Sequence, residues 1–136
     1  MTADLGLRTA AVPDALDLVL DLLQRSWAEH PDVDDLDRVR FEIAVTEVAG
    51  NVVEHAAASD PLEFTLQVRV HPDRLEARFT DAGRAADADP ATAELPDDLA
   101  ESGRGLALAR RAVDELVYRR VDGVNHWLVL RRRSTA

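Results

Sequence analysis

The chain has 136 residues, 46% apolar and 31% charged, with a formal net charge of −10 and no cysteine. That length suits one domain with a two-layer core, the missing thiols exclude a disulfide framework and thiolate chemistry, and the acidic balance argues against non-specific binding to DNA, RNA or anionic lipid. No apolar run approaches the roughly 18 residues of a membrane span, and MTADLGLRTA lacks the basic-then-apolar pattern of a signal peptide, so the expectation is a single cytoplasmic domain over 1–136.

Residues 4–10 alternate, with Leu5, Leu7 and Thr9 set against Gly6 and Arg8, as in a short strand. Pro13 and Asp14 open a helix, where a missing N–H costs nothing and a carboxylate suits the helix dipole. Leu16, Val19, Leu20, Leu23 and Trp27 recur at helical spacing until His30-Pro31. A second helix starts within Asp32 to Asp35, with acids in its first turn, and ends near Ala57. Its centre, EIAVTEVAGNVVEHA over 42–56, is the stretch around which the rest is organised. Phe41, Val45, Val48, Ala49, Val52 and Ala56 fall on one apolar arc, and Glu47, Asn51 and His55 form a polar stripe on its flank. A stripe there faces a cleft rather than open water. The amide oxygen of Asn51 can join an oxygen shell around Mg²⁺, and the Glu47 carboxylate can take a proton from a nearby hydroxyl or water. The same spacing occurs on many solvated helices, so the pair alone does not define a site.

Residues 62–70 alternate strictly, with Leu62, Phe64, Leu66, Val68 and Val70 on one face. A turn at 71–74 leads to a second strand over 75–80, with Leu75, Ala77 and Phe79 inward, so the two form an antiparallel hairpin. Asp81-Ala82-Gly83 follows, then an irregular stretch from Arg84 to Glu101 rich in Ala, Asp and Pro. A loop of that length in a small domain is usually functional or disordered. Ser102-Gly103-Arg104-Gly105 then leads a third helix with Leu106, Leu108, Ala109, Ala112, Val113 and Leu116 at roughly helical spacing. Asp122-Gly123 between VYRRV and HWLVL signals a final hairpin, and the chain from Arg131 onward is expected to fray. The order β-α-α-β-β-loop-α-β-β predicts an α/β (α+β) two-layer sandwich: a mixed, largely antiparallel sheet with helices on one face.

Three motifs line up along this order, each with a use in nucleotide binding. An ionised Asp81 at a strand end can accept a charge-assisted hydrogen bond from the exocyclic amine of a base, and Gly83, without a Cβ, lets the base approach the backbone. Gly103 and Gly105 permit a tight turn at a helix start, where free N–H groups and the helix dipole suit phosphates, with Arg104 available as a charge contact. Neither a Walker loop nor a Rossmann fingerprint is present. Each motif also has a plain structural use, as a turn or a flexible connection.

Together, EIAVTEVAGNVVEHA, DAG and ESGRGLALAR resemble the N box and the two glycine boxes of the GHKL ATPase/kinase superfamily, and within it the bacterial anti-sigma factor serine/threonine kinases. The resemblance spans nearly the whole chain and implies the Bergerat (GHKL) fold. By that resemblance Asn51 coordinates Mg²⁺ on the ATP phosphates and Glu47 is the general base. Asp81 binds the adenine amine, and Gly83 passes under the base. Residues 84–102 form the ATP lid, and Gly103, Arg104, Gly105 and Leu106 cradle the phosphates. His55 lines the nucleotide site or serves the structure. Ala85 stands where many relatives have a further glycine, at the lid hinge. The implied activity is ATP-dependent phosphorylation of a STAS-type anti-anti-sigma partner combined with sequestration of a sigma factor, in a domain that can form a homodimer. The alternative is a non-catalytic interaction module on the same fold. An ordinary ATP hydrolase fits less well, since the chain shows no second domain to use the energy.

Overall fold

A computed structural model of the chain describes residues 3–56, 62–83, 85 and 101–134. The elements in order are β1 (Ala3–Ala10), α1 (Ala15–Glu29), α2 (Asp35–Ala56), β2 (Glu63–Val70), β3 (Arg74–Asp81), α3 (Glu101–Ala112), β4 (Glu115–Val121) and β5 (Val124–Arg132). The five strands form one sheet in the order β1-β2-β3-β5-β4. Every pairing is antiparallel, in line with the largely antiparallel sheet expected from the sequence and without its parallel component. The reason is the last hairpin. β3 and β4 run in the same direction, but β5 folds back between them and is antiparallel to both. The turn that sends it back has Asp122 at φ 51° and Gly123 at φ 80°. Two left-handed residues in succession make the tight hairpin turn that Asp-Gly favours.

Alternation along the strands sorts the two faces. Phe64, Leu66, Val68 and Val70 of β2, Leu75, Ala77 and Phe79 of β3, and Trp127 and Val129 of β5 are buried against the helices. Thr65, Gln67, Arg78, Thr80 and His126 lie on the helix-free face. α2 contributes Phe41, Ala44, Val45, Val48, Ala49, Val52 and Val53 to the core, a broader arc than the sequence suggested. This helix is rich in β-branched residues and contains Gly50, so its intrinsic propensity is poor. Burial of a Val or Phe side chain contributes about 1.5–3 kcal/mol. Packing rather than propensity therefore holds α2 in register.

α1 docks on α2 with Trp27 at the contact, and Gln24 Nε2 donates to Glu42 Oε1 beside it. The Trp27 indole meets the Phe41 ring edge-on at 6.1 Å, and its Nε1 donates to Glu42 Oε1 at 2.6 Å. α1 ends where the His30 N–H reaches back to the Ser26 and Trp27 carbonyls.

The end of the chain departs from expectation. Arg131 to Ser134 are pinned rather than frayed, and 135–136 lie outside the described residues. Arg131 Nε donates to Asp37 Oδ1 at 2.9 Å and Arg131 Nη1 to the Ala112 carbonyl at 2.9 Å. The Ser134 N–H reaches Asp37 Oδ2 at 2.8 Å. Arg133 adds bonds from its guanidinium to Asp32 Oδ2 (2.8 Å) and to the His71 carbonyl (2.9 Å). Asp37, in the first turn of α2, is fully buried. A buried carboxylate is tolerated only when paired and hydrogen-bonded, and the last residues supply both.

Candidate functional site

α2 carries the polar stripe past the core. Asn51 is 7% exposed, and its Oδ1 is buried with no hydrogen-bond partner among the described residues. Such an orphan acceptor costs about 1–3 kcal/mol when nothing satisfies it, so this oxygen is available to a ligand or to water. One turn earlier Glu47 is half-buried.

α3 lies against this stripe and runs antiparallel to α2. Its Ala112 end shares Arg131 with Asp37, and its Gly105 end abuts Glu47. The sequence placed Gly103 and Gly105 in a turn leading a helix. Both instead lie within the helical span of α3, Glu101–Ala112. The use of Gly105 is steric. A Cβ there would run into Glu47 Oε2, so only glycine lets the second turn of α3 seat directly on the carboxylate. Leu106, expected in a phosphate cradle, is 1% exposed with its side chain in the core, which leaves only its backbone for a ligand. The backbones of Gly103 and Arg104 lie in the first turn of α3 and that of His55 in the last turn of α2. The side chains of Arg104 and His55 lie outside the described residues, as do 84 and 86–100 of the expected lid, whose Glu101 and Ser102 already belong to α3.

A second cluster sits at the end of the sheet. In one row across three strands, Asp81 of β3 pairs with Asn125 of β5, which pairs with Arg120 of β4. The next row is Phe79, Trp127 and Tyr118. Asp81 Oδ1 accepts from the Gly83 N–H at 2.9 Å and from Asn125 Nδ2 at 2.9 Å. Asn125, only 3% exposed, accepts at Oδ1 from the Tyr118 hydroxyl (2.6 Å) and from Arg120 Nη1 (2.8 Å). Arg120 Nη1 also donates to the Gly83 carbonyl at 2.8 Å. A Cβ on Gly83 would lie 2.9 Å from both Asp81 Oδ1 and Leu62 Cδ1, so any side chain there would have to shift Leu62 and the Asp81 carboxylate that receives the Gly83 N–H.

The structure thus gathers Glu47, Asn51 and Gly105 on the helices and Asp81 and Gly83 at the sheet end. No hydrogen bond among the described residues links the two groups. A concavity of about 390 Å³ lies elsewhere, on the helix-free face between Arg78, Thr80, Arg119 and His126, and includes none of these residues.

A family model, the histidine kinase-like ATPase domain, matches residues 9–132. The chain belongs to that family. Membership implies an ATP site, and both clusters lie within the matched span. Among solved structures, the ATPase domain is similar to the crystal structure of the RsbU and RsbW domains of Rv1364c from Mycobacterium tuberculosis, with a TM-score of 0.67 and 20% identity. The match covers 98% of this chain but 33% of that one, so the domain spans about a third of that structure's length, and at this identity the likeness shows the fold. No curated protein sequence matches the chain.

Sequence reasoning missed Tyr118, Arg120 and Asn125. One signal was present. Asn125 occupies the same alternating face as Trp127 and Val129, and a carboxamide in an inward register needs a partner.

Proposed function

We propose that this ATPase domain is a protein serine/threonine kinase of the anti-sigma type. It transfers the γ-phosphoryl group of ATP to a STAS-type anti-anti-sigma partner and sequesters a sigma factor. The observation that carries the reading is the pairing of Glu47, whose carboxylate has no hydrogen-bond or ionic partner among the described residues, with the orphan Oδ1 of Asn51 one turn away. Family membership supplies the nucleotide, and the likeness to a structure that contains an RsbW domain supports the anti-sigma branch.

In this reading Asp81 accepts from the adenine amine at the sheet end, and the triphosphate extends toward α2 and α3. The partner's Ser or Thr oxygen attacks the γ-phosphorus as the bond to the β–γ bridging oxygen breaks and ADP leaves. Glu47 takes the hydroxyl proton, which contributes about 10²–10⁴-fold. The residues fit Mg²⁺. Asn51 offers one buried amide oxygen that takes no hydrogen bond from the described residues. An ion that keeps waters and binds chiefly through phosphates suits one such oxygen. When bound, Mg²⁺ neutralises charge on the phosphates during transfer.

A cytoplasmic location is part of the same proposal; no described helix is long and apolar enough to cross a membrane. β1, at the edge of the sheet, together with α1 is the surface we assign to a homodimer.

The test is calorimetric titration of Mg·ATP into the wild type and Asn51→Ala, followed by phosphoryl transfer to a STAS-domain substrate by the wild type and Glu47→Ala. Binding lost in Asn51→Ala, and transfer lost in Glu47→Ala with binding retained, support the kinase. Binding without any Glu47-dependent transfer would instead favour the interaction module, for which Ala85 at the lid hinge already speaks.

A further inference from the structure

Asp81 is held by a network that the nucleotide reading does not use. Both of its inward partners act on one oxygen. Oδ1 receives the Gly83 N–H and the Asn125 Nδ2, which fills its two lone pairs. Among the described residues Oδ2 receives no hydrogen bond. The carboxylate therefore has one saturated oxygen and one that can only accept.

This asymmetry depends on which way the Asn125 amide faces. A carboxamide can rotate by 180° and exchange its oxygen and nitrogen, and the hydrogen-bond network decides between the two. Here the decision is forced. On one side, among the described residues, stand the Tyr118 hydroxyl, which can donate or accept, and Arg120 Nη1, a guanidinium with no acceptor to offer. On the other side stand two acceptors, Asp81 Oδ1 and the Gly83 carbonyl at 3.4 Å. A flipped amide would set NH₂ against the Arg120 guanidinium and oxygen against the Asp81 carboxylate. Burial of Asn125 keeps water from compensating.

We propose that Asn125 is a positioning residue for base recognition: locked by Tyr118 and Arg120, it saturates one oxygen of Asp81 and leaves the other to accept from an exocyclic amine, so that the site selects a 6-aminopurine nucleotide over a 6-oxopurine. An oxo group at that position would set its lone pairs against Oδ2. Asp81 cannot swing away without giving up both bonds at Oδ1. The inference rests on the nucleotide site proposed above and adds the group that enforces its selectivity.

The experiment compares ATP with inosine 5′-triphosphate, in which a carbonyl replaces the 6-amine and N1 carries a hydrogen. Affinities for both are measured calorimetrically with Mg²⁺ on the wild type, Asn125→Leu and Tyr118→Phe. The second variant keeps the ring contact with Trp127, at a centroid distance of 4.7 Å, and so keeps the fold if the buried Asn125 variant does not. The wild type is expected to prefer ATP by about tenfold to a hundredfold, the worth of one charge-assisted hydrogen bond. In the variants the preference falls toward unity while inosine triphosphate affinity stays within about twofold. A purely structural role would instead weaken both nucleotides equally, and that result, or an unchanged preference in Tyr118→Phe, overturns the inference alone. A wild type that binds neither nucleotide overturns the nucleotide reading and this inference together.

Discussion

Gly105→Ala separates catalysis from folding in a single residue. Two effects on stability oppose each other. Alanine in a helix interior is favoured over glycine by about 0.5–1 kcal/mol, and Gly105 lies within α3 with no positive φ to protect. Against this, the new methyl would overlap Glu47 Oε2 and crowd Glu47 Cδ at 3.3 Å. Those atoms are the far end of a flexible side chain, so the chain can yield by rotating Glu47 at a cost of about 0.5–1.5 kcal/mol. The net change in stability is close to zero, within about 1 kcal/mol either way, which for a domain of this size is a shift of a few degrees in Tm. The effect on transfer is not balanced in this way. If Glu47 is the general base proposed above, displacing it forfeits a contribution of about 10²–10⁴-fold. Thermal unfolding and phosphoryl transfer to a STAS-domain substrate are measured side by side. Near-normal Tm with transfer reduced at least about a hundredfold is expected. Transfer at the wild-type rate would show that Glu47 does not act from the position described. A fall in Tm of about ten degrees or more would show that the helices cannot accommodate the methyl at all.

Three further outcomes test the scaffold. Asp37→Ala leaves Arg131 in the interior without its carboxylate and releases Ser134, so urea denaturation should show a loss of about 3 kcal/mol; a loss below about 1 kcal/mol would show that the chain end is not held through Asp37. The Glu76 carboxyl feels burial, which works to raise it, but the hydrogen bond and charge of Arg78, with the nearby His71, hold it below its ordinary value of 4.5. A depressed folded value means that the stabilisation is present above pH 4.5 and drains away as the pH falls through the lower folded value; Glu76→Gln should flatten the dependence of stability on pH in that acid range, and an unchanged slope would refute the assignment. A Cβ on Gly50 would meet nothing within 4 Å, so Gly50→Ala should raise the midpoint of urea unfolding by the equivalent of about 0.5–1 kcal/mol, whereas destabilisation would show that the position is not open.

What the sequence made legible was local. The alternation of Phe64 to Val70, the Asp122-Gly123 turn and the helical spacing around Phe41 and Val45 each depend on neighbours a few residues away, and each recurs in the structure. The motif residues were visible for the same reason, since Glu47 and Asn51 sit on one helix. What escaped depends on register. Asn125 acquires its meaning from Asp81, 44 positions earlier, only because β3 pairs with β5 so that the two residues face each other. The clamp at the chain end joins residues 94 positions apart, Arg131 and Asp37, and a run of arginines by itself reads as a solvated tail. Gly105 was misplaced because Gly-x-Gly is a turn signal in isolation. Its helical state follows from the packing of α3 on Glu47, which no local pattern encodes.

The insertion of β5 between β3 and β4 also governs how the protein comes to exist. A growing chain has made β1, β2 and β3 long before β5, yet β3 keeps an open, hydrogen-bonding edge until residues up to Arg132 have been synthesised. Such an edge invites pairing with other chains, and contacts between distant segments form slowly. Completion of the sheet, burial of Trp127 and closure of the Arg131 clamp on Asp37 all await the same few residues. Synthesis that stops before them yields a chain with an unfinished interior and an adhesive flank, a substrate for chaperones and proteases rather than a partly working enzyme.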